Sequence, residues 1–202
     1  MKKVLLIGGG GHCHSCIDII ESESIYKIMG IILPTLKNLK PILGYPVIGT
    51  EKNLPKLLKQ IPNILICIGQ IKNFKIRKKV FELLKSYKAN FPIFKSPHAY
   101  CSRYAILGEG TIQMHGSIIN ANAQIGVNCI VNSKSLIEHD VIIQAHCHIS
   151  TGAIINGGVK IGEGSFVGSG SIIKEGVKIG KHVIIGAGQT VLKDIPDKTT
   201  VK

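Results

Sequence analysis

No apolar run in the chain is long enough to span a bilayer. Met-Lys-Lys leads straight into a short apolar stretch, with neither the length nor the flanks of a leader peptide. Together these absences predict a cytoplasmic protein with no stable membrane insertion. The six cysteines have no disulfide-framework spacing, which excludes a stapled secreted domain and predicts free thiols in a reducing compartment. Cys13 and Cys16 form a CxxC without a second pair, which argues against a four-thiol zinc site. That leaves two readings of the CxxC: a redox pair, or a helix start that carries two thiols. Acidic residues are also scarce, 12 against 25 Lys and Arg. The imbalance sits at one end: residues 1–96 hold 16 basic and 5 acidic side chains, whereas residues 97–202 hold 9 and 7. Few aromatics lie among the lysines, so solvated faces or a diphosphate ligand are expected, and no nucleic acid.

What the chain does have is a period. From Leu107 to Pro196 it divides into fifteen hexads without a gap, and fourteen begin with Leu, Ile or Val. Gln113 is the exception. Fifth places are mostly small or β-branched. Places five and one of successive hexads lie two residues apart, so on a strand both point the same way. Places two to four, rich in Gly and Asn, turn the corner. Three such flats close a triangular coil of about eighteen residues, which predicts a parallel β-helix of about five coils.

The chain before this repeat alternates strands and helices. Lys3–Ile7, Lys27–Leu33, Asn63–Gly69 and Phe91–Phe94 read as strands. Thr50–Gln60 and Asn73–Lys88 read as helices, the second with Ile76, Val80, Leu83, Leu84 and Tyr87 on one face. The pattern predicts a small Rossmann-like parallel sheet over residues 1–95, a linker over 96–106, the β-helix over 107–198 and a tail over 199–202. The first strand runs into Gly8-Gly9-Gly10-Gly11-His12 and then a helix, a turn at which backbone N–H groups can face phosphate or sugar oxygens. It is not a dinucleotide fingerprint, because the third glycine of GxGxxG is missing.

In the hexad frame His139 is a corner residue followed by Asp140, and Gly157 stands eighteen residues on, one coil above. A histidine, a carboxylate and a glycine N–H offer a general base, a group that orients it and an oxyanion donor. The residues alone equally allow His139 to be an ordinary surface corner. His115, His139 and His146 lack the spacing of a β-helical zinc site, and no metal is expected. Cys147 is turned inward by alternation beside His148, which disfavours a cysteine nucleophile.

The chain resembles the left-handed β-helix acetyltransferases of bacterial amino-sugar pathways, the PglD- and NeuD-like group. GGGGHCHSC, ICIGQIKNFKIRKK, SPHA, VNSKSLIEHDVII…HISTGA and VIIGAGQTVLKDIP carry the resemblance, and the block Ile137-Glu138-His139-Asp140 is its specific part. The resemblance implies a left-handed helix and a homotrimer, with acetyl-CoA as co-substrate between neighbouring helices. His139 would be the base and Asp140 would raise its basicity. Gly157 would offer its N–H to the thioester oxygen, His148 would meet the acetyl group, and Ser169 and Ala187 would line the pantetheine arm. Gly10, Gly11, His12 and Gly69 would bind the sugar nucleotide. The implied reaction is transfer of acetyl to the amine of a UDP-linked 4-amino-4,6-dideoxy sugar. Alternatives are O-acetylation of a sialic or nonulosonic acid, or a non-catalytic trimeric sugar-binding scaffold. Leu33-Pro34-Thr35 departs from the acidic pair that relatives carry after their second strand.

Overall fold

A computed structural model describes residues 1–35, 40–71 and 73–202. They form two compact units, one of Met1–Gly69 with Arg77–Pro92 and the other of Gln70–Ile76 with Ile93–Lys202. No helix among the described residues is long and apolar enough to cross a membrane.

The first unit is built on a four-stranded sheet ordered β3-β2-β1-β4, from β1 (Lys2–Ile7), β2 (Tyr26–Ile32), β3 (Val47–Gly49) and β4 (Ile64–Ile66). All its pairings are parallel. Val4, Leu5, Leu6, Ile64 and Leu65 are fully buried, the continuous apolar runs expected of a covered parallel sheet. Helix α1 (Gly11–Glu23) follows β1 and buries Cys13, Cys16, Ile17, Ile19 and Ile20. It ends at Ser24, whose left-handed backbone lets its N–H reach the Ile20 carbonyl. Helices α2 (Leu54–Leu58) and α3 (Lys75–Ser86) complete the element order.

In α3 the buried stripe is Arg77, Val80, Phe81 and Leu84. Ile76 and Tyr87, expected inside, are exposed. The stripe is rotated because Arg77 is buried instead, its guanidinium donating to the carbonyls of Ile66 and Ile68 where β4 ends. Those acceptors satisfy a buried charge that hydropathy alone would place outside.

The second unit is the β-helix, a left-handed one. Two-residue strands stack into three parallel sheets of seven, six and five. The first face runs from Phe94–Lys95 to Thr200–Val201, the second from Tyr100–Cys101 to Thr190–Val191, and the third from Ile106–Leu107 to Lys178–Ile179. Register follows the eighteen-residue coil up to Val191: Leu136 pairs with Ile118 and Ile154, and Ile130 with Ile112 and His148. The last coil is shorter, with Ile184 paired to Thr200, so the expected tail ends in a strand of the first face. First-place aliphatics and fifth-place small residues form one continuous buried core. Hydroxyls in fifth places are satisfied by coil carbonyls, as in Ser165 to Gly180 at 2.8 Å and Ser171 to Gly186 at 2.7 Å. Gln113, the odd first place, is buried and donates to the Tyr100 carbonyl at 2.8 Å.

The repeat begins earlier than its aliphatic signature. Phe94–Lys95 pairs with Ile112–Gln113 and Tyr100–Cys101 with Ile118–Ile119, so residues 96–106 are wound as helix, not as a linker. Lys95 and Cys101 occupy first places there and break the aliphatic rule while keeping the winding. Phe94 therefore belongs to the β-helix, and the fourth strand of the N-terminal sheet is Val47–Gly49. The boundary is also not a single cut. In the second unit, the Gln70 amide donates to the His146 carbonyl at 2.8 Å and Phe74 stacks on His182 at 4.5 Å.

Candidate active site

His139 and Asp140 stand at the corner between the second and third faces, directly after Leu136–Ile137. The fourth place of the first fourteen hexads has a left-handed backbone, and Asp140 has φ 60°. Asp and Asn accept that conformation better than most residues do. The turn aims the carboxylate at its neighbour, and Asp140 Oδ2 lies 2.8 Å from His139 Nδ1. Asp140 Oδ1 accepts from Asn122 Nδ2 at 2.6 Å. Hydrogen bonds from His139 and then Asn122 hold the Asp140 carboxyl below the usual carboxylate range. With Nδ1–H given to the carboxylate, Nε2 carries the free lone pair.

Gly157 is one coil above, and the neighbouring Gly158 N–H donates to the His139 carbonyl at 3.0 Å. A Cβ built on Gly157 would lie 2.7 Å from His139 Cε1 and 2.8 Å from Nε2. Glycine is required here by contact: only a bare Cα lets the backbone pass this close to the ring. Among the described residues the Gly157 N–H has no hydrogen-bond partner. A cavity of about 580 Å³ opens over this corner, lined by Glu138, His139, Asp140, Asn156, Gly157 and Glu175 among others. Glu138 and Glu175 were not anticipated. Glu175 was within reach of the same arithmetic, because it stands two coils above His139.

His148 is on the first face and is 6% exposed. Its Nδ1 bonds to the Gln70 carbonyl at 2.5 Å, and its Nε2 lies 3.1 Å from Asn132 Nδ2. Asn132 Oδ1 in turn accepts the Ser133 N–H. Reading the chain of donors, His148 is neutral, with its proton on Nδ1. Phe166 meets the ring edge-on at 5.2 Å. His148, Ser169 and Ala187 share one cavity of about 660 Å³, with Ile71, Asn132, Ser150, Phe166 and Ile184 also in its wall. The structure thus gathers the three residues expected along the cofactor, and it separates them from His139. One group lies on the first face and its edge, the other at the far edge of the second face.

In the first unit, Gly10 and Gly11 open α1 with no side-chain cap, and a Cβ built on either would meet nothing within 4 Å. Across from them, Gly69 is within 3.6 Å of the His12 Cβ. The four residues expected to hold the sugar nucleotide are therefore together. Beside them, a Cβ built on Gly9 would meet the apolar side chains of Ile42 and Leu33 at 2.5 and 2.8 Å. Among the described residues no three His, Cys, Asp or Glu side chains are arranged to hold a metal ion, and His115, His139 and His146 do not converge.

The six-residue winding and its three stacked sheets place the second unit in the left-handed β-helix, hexapeptide-repeat class. The chain belongs to the PglD- and NeuD-like sugar acetyltransferase family. The PglD N-terminal domain family matches residues 3–84, and the bacterial transferase hexapeptide (six repeats) family matches residues 158–191. The chain is 34% identical over 114 residues to the UDP-N-acetylbacillosamine N-acetyltransferase of Bacillus subtilis (strain 168), a match over 56% of this chain and about half, 52%, of that enzyme. PerB from Caulobacter crescentus, solved with CoA and GDP-perosamine, is 31% identical with a TM-score of 0.91, over 99% of this chain and 93% of that one. The acetyltransferase domain of PglB from Neisseria gonorrhoeae FA1090, solved with acetyl coenzyme A, is 30% identical with a TM-score of 0.91, over 98% and 95%.

Proposed function

We propose that the protein transfers acetyl from acetyl-CoA to the amine of a nucleoside-diphosphate-linked amino sugar. The observation that carries this is the His139–Asp140 hydrogen bond at 2.8 Å with Gly157 pressed against the same imidazole. His139 Nε2 takes a proton from the sugar amine as the amine attacks the thioester carbon. Asp140 holds the tautomer and offsets the charge of the imidazolium. The Gly157 N–H donates to the developing oxyanion. The tetrahedral intermediate then collapses, expelling CoA thiolate.

Glu138, Asp140 and Glu175 surround the base with carboxylates. They attract an ammonium-bearing acceptor and repel the carboxylate of a sialic-type sugar, which supports N-acetylation over the O-acetylation alternative. Acetyl-CoA is assigned to the cavity of His148, Ser169 and Ala187, and the sugar nucleotide to Gly10, Gly11, His12 and Gly69. UDP is the first candidate carrier, on the likeness to the Bacillus enzyme, whereas PerB is solved with a GDP sugar.

Base and cofactor residues lie at different edges of one helix, so a working site requires more than one copy. The second face between them carries an apolar ladder of Tyr100, Ile118, Leu136, Ile154 and Ile172. Tyr100 is 58% exposed and Ile172 39%. Burying that ladder around a threefold axis brings the base corner of one copy to the first face of the next, the reason we assign a homotrimer. The test is CoA release with UDP- and GDP-linked amino sugars, with NMR location of the acetyl group and sedimentation of the protein. Acetyl on a hydroxyl, or full activity in a monomer, would overturn the proposal.

A further inference from the structure

The cavity that holds His148, Ser169 and Ala187 has a cation at one end. Among the described residues of its wall, only Lys202 carries a formal charge. Its side chain is exposed and has no hydrogen-bond or ion-pair partner among the described residues. The rest of the wall is aliphatic, aromatic or neutral and polar, so nothing else there can balance a phosphate.

The winding fixes where Lys202 stands. His148–Ile149 pairs with Phe166–Val167, that strand with Ile184–Ile185, and that one with Thr200–Val201. Lys202 is therefore three rungs above the His148 strand, about 14 Å along the helix. The Gly186 N–H donates to the Val201 carbonyl at 2.8 Å, and a Cβ built on Gly186 would lie 3.7 Å from the Lys202 Cα. Lys202 thus continues the corner column of Ser150, Gly168 and Gly186, all three in the same wall.

In coenzyme A about thirteen bonds separate the sulfur from the nearer phosphorus, which at the bond spacing of an extended chain is about 15 Å. The two lengths agree. With the thioester beside His148, the neutral arm passes the rungs of Ser169 and Ala187 and ends at Lys202. We infer that Lys202 binds the diphosphate of acetyl-CoA and so sets a preference for a phosphorylated acyl donor. This rests on the placement of acetyl-CoA in the His148 cavity. The other direction along the corner offers no equivalent. Lys134 lies one coil below Gly152, too near His148 to meet the diphosphate, and it is not in the wall. An ammonium on an open rim acts as a point charge, so it reads the charge of the donor and not the shape of its nucleotide.

The experiment titrates the full chain by calorimetry, without acceptor, using acetyl-CoA, 3′-dephospho-acetyl-CoA and S-acetylpantetheine, which has no phosphate. At low salt the parent should bind both nucleotide donors more tightly than S-acetylpantetheine, and high salt should narrow the gap. Lys202→Gln should remove about fivefold of that preference, the size of an exposed ion pair, and equally for the two nucleotide donors. Lys202→Arg should keep the preference, and Lys134→Gln should not move it. A parent without the preference, an undiminished preference in Lys202→Gln, an equal loss in Lys134→Gln, or a loss confined to the 3′-phosphorylated donor would overturn the inference. His148→Ala tests the underlying placement separately, because it should weaken all three donors alike. Unchanged binding of all three would take acetyl-CoA out of this cavity, and the diphosphate assignment with it.

Discussion

His139 and His148 are nine residues apart and have opposite surroundings. The His139 side chain is 67% exposed and gives Nδ1 to a carboxylate. His148 is buried, between a backbone carbonyl and an amide. A carboxylate partner strengthens an imidazole as a base, whereas a carbonyl partner only fixes its orientation. The same residue type is therefore suited to proton transfer at a corner and to neutral contact on a face. The hexad frame decides which, because it sets who the neighbour on Nδ1 is.

The sharpest way to break this contrast is to remove one ring at a time. His139→Ala should lower kcat by about two to four orders of magnitude in a CoA-release assay, with the circular dichroism spectrum unchanged. Asp140→Asn keeps a residue suited to the left-handed turn while removing the charge. Its loss of kcat should be smaller than that of His139→Ala. Gly157→Ala introduces a Cβ 2.7 Å from the ring and displaces it. Misplacement on that scale costs about a hundredfold in kcat, with KM for acetyl-CoA nearly unchanged. His148→Ala should do the reverse, raising KM for acetyl-CoA about tenfold, the size of one hydrogen-bonded contact, with the lesser effect on kcat. The smallest change is expected from Asn122→Ala, which takes away one of the two donors to Asp140. Carboxyl NMR of the parent should show Asp140 titrating below the ordinary range, so the His139–Asp140 pair persists as pH falls through that range. In Asn122→Ala the titration should move back up toward the ordinary value.

The β-helix was legible because its signal is redundant: each coil restates the same apolar and small positions. The stacking of Gly157 on His139 was legible through the same frame, which sets the two residues one coil apart. Where redundancy ends, so does the reading. Lys95 and Cys101 wind the first coils without aliphatic first places, so periodicity alone reads those coils as a linker. Arg77 breaks the hydropathy of α3 because its partners, the Ile66 and Ile68 carbonyls, lie at the end of β4 and just beyond it, eleven and nine residues away. The wall of the His148 cavity includes Ile71, from a segment outside the repeat, and no periodicity announces it.

From Phe94 to Val191 each coil climbs one rung of about 4.8 Å, and eighteen residues bring the backbone back to the same edge. The helix is in effect a ruler, and length changes in it are quantised. Excising residues 141–158 would preserve the winding, yet it would slide Glu175 down to the rung that Gly157 occupies. A carboxylate-bearing Cβ would then press on the imidazole where a bare amide had been. A protein of this kind can therefore lose or gain a rung beyond the His139–Gly157 contact, but not within it.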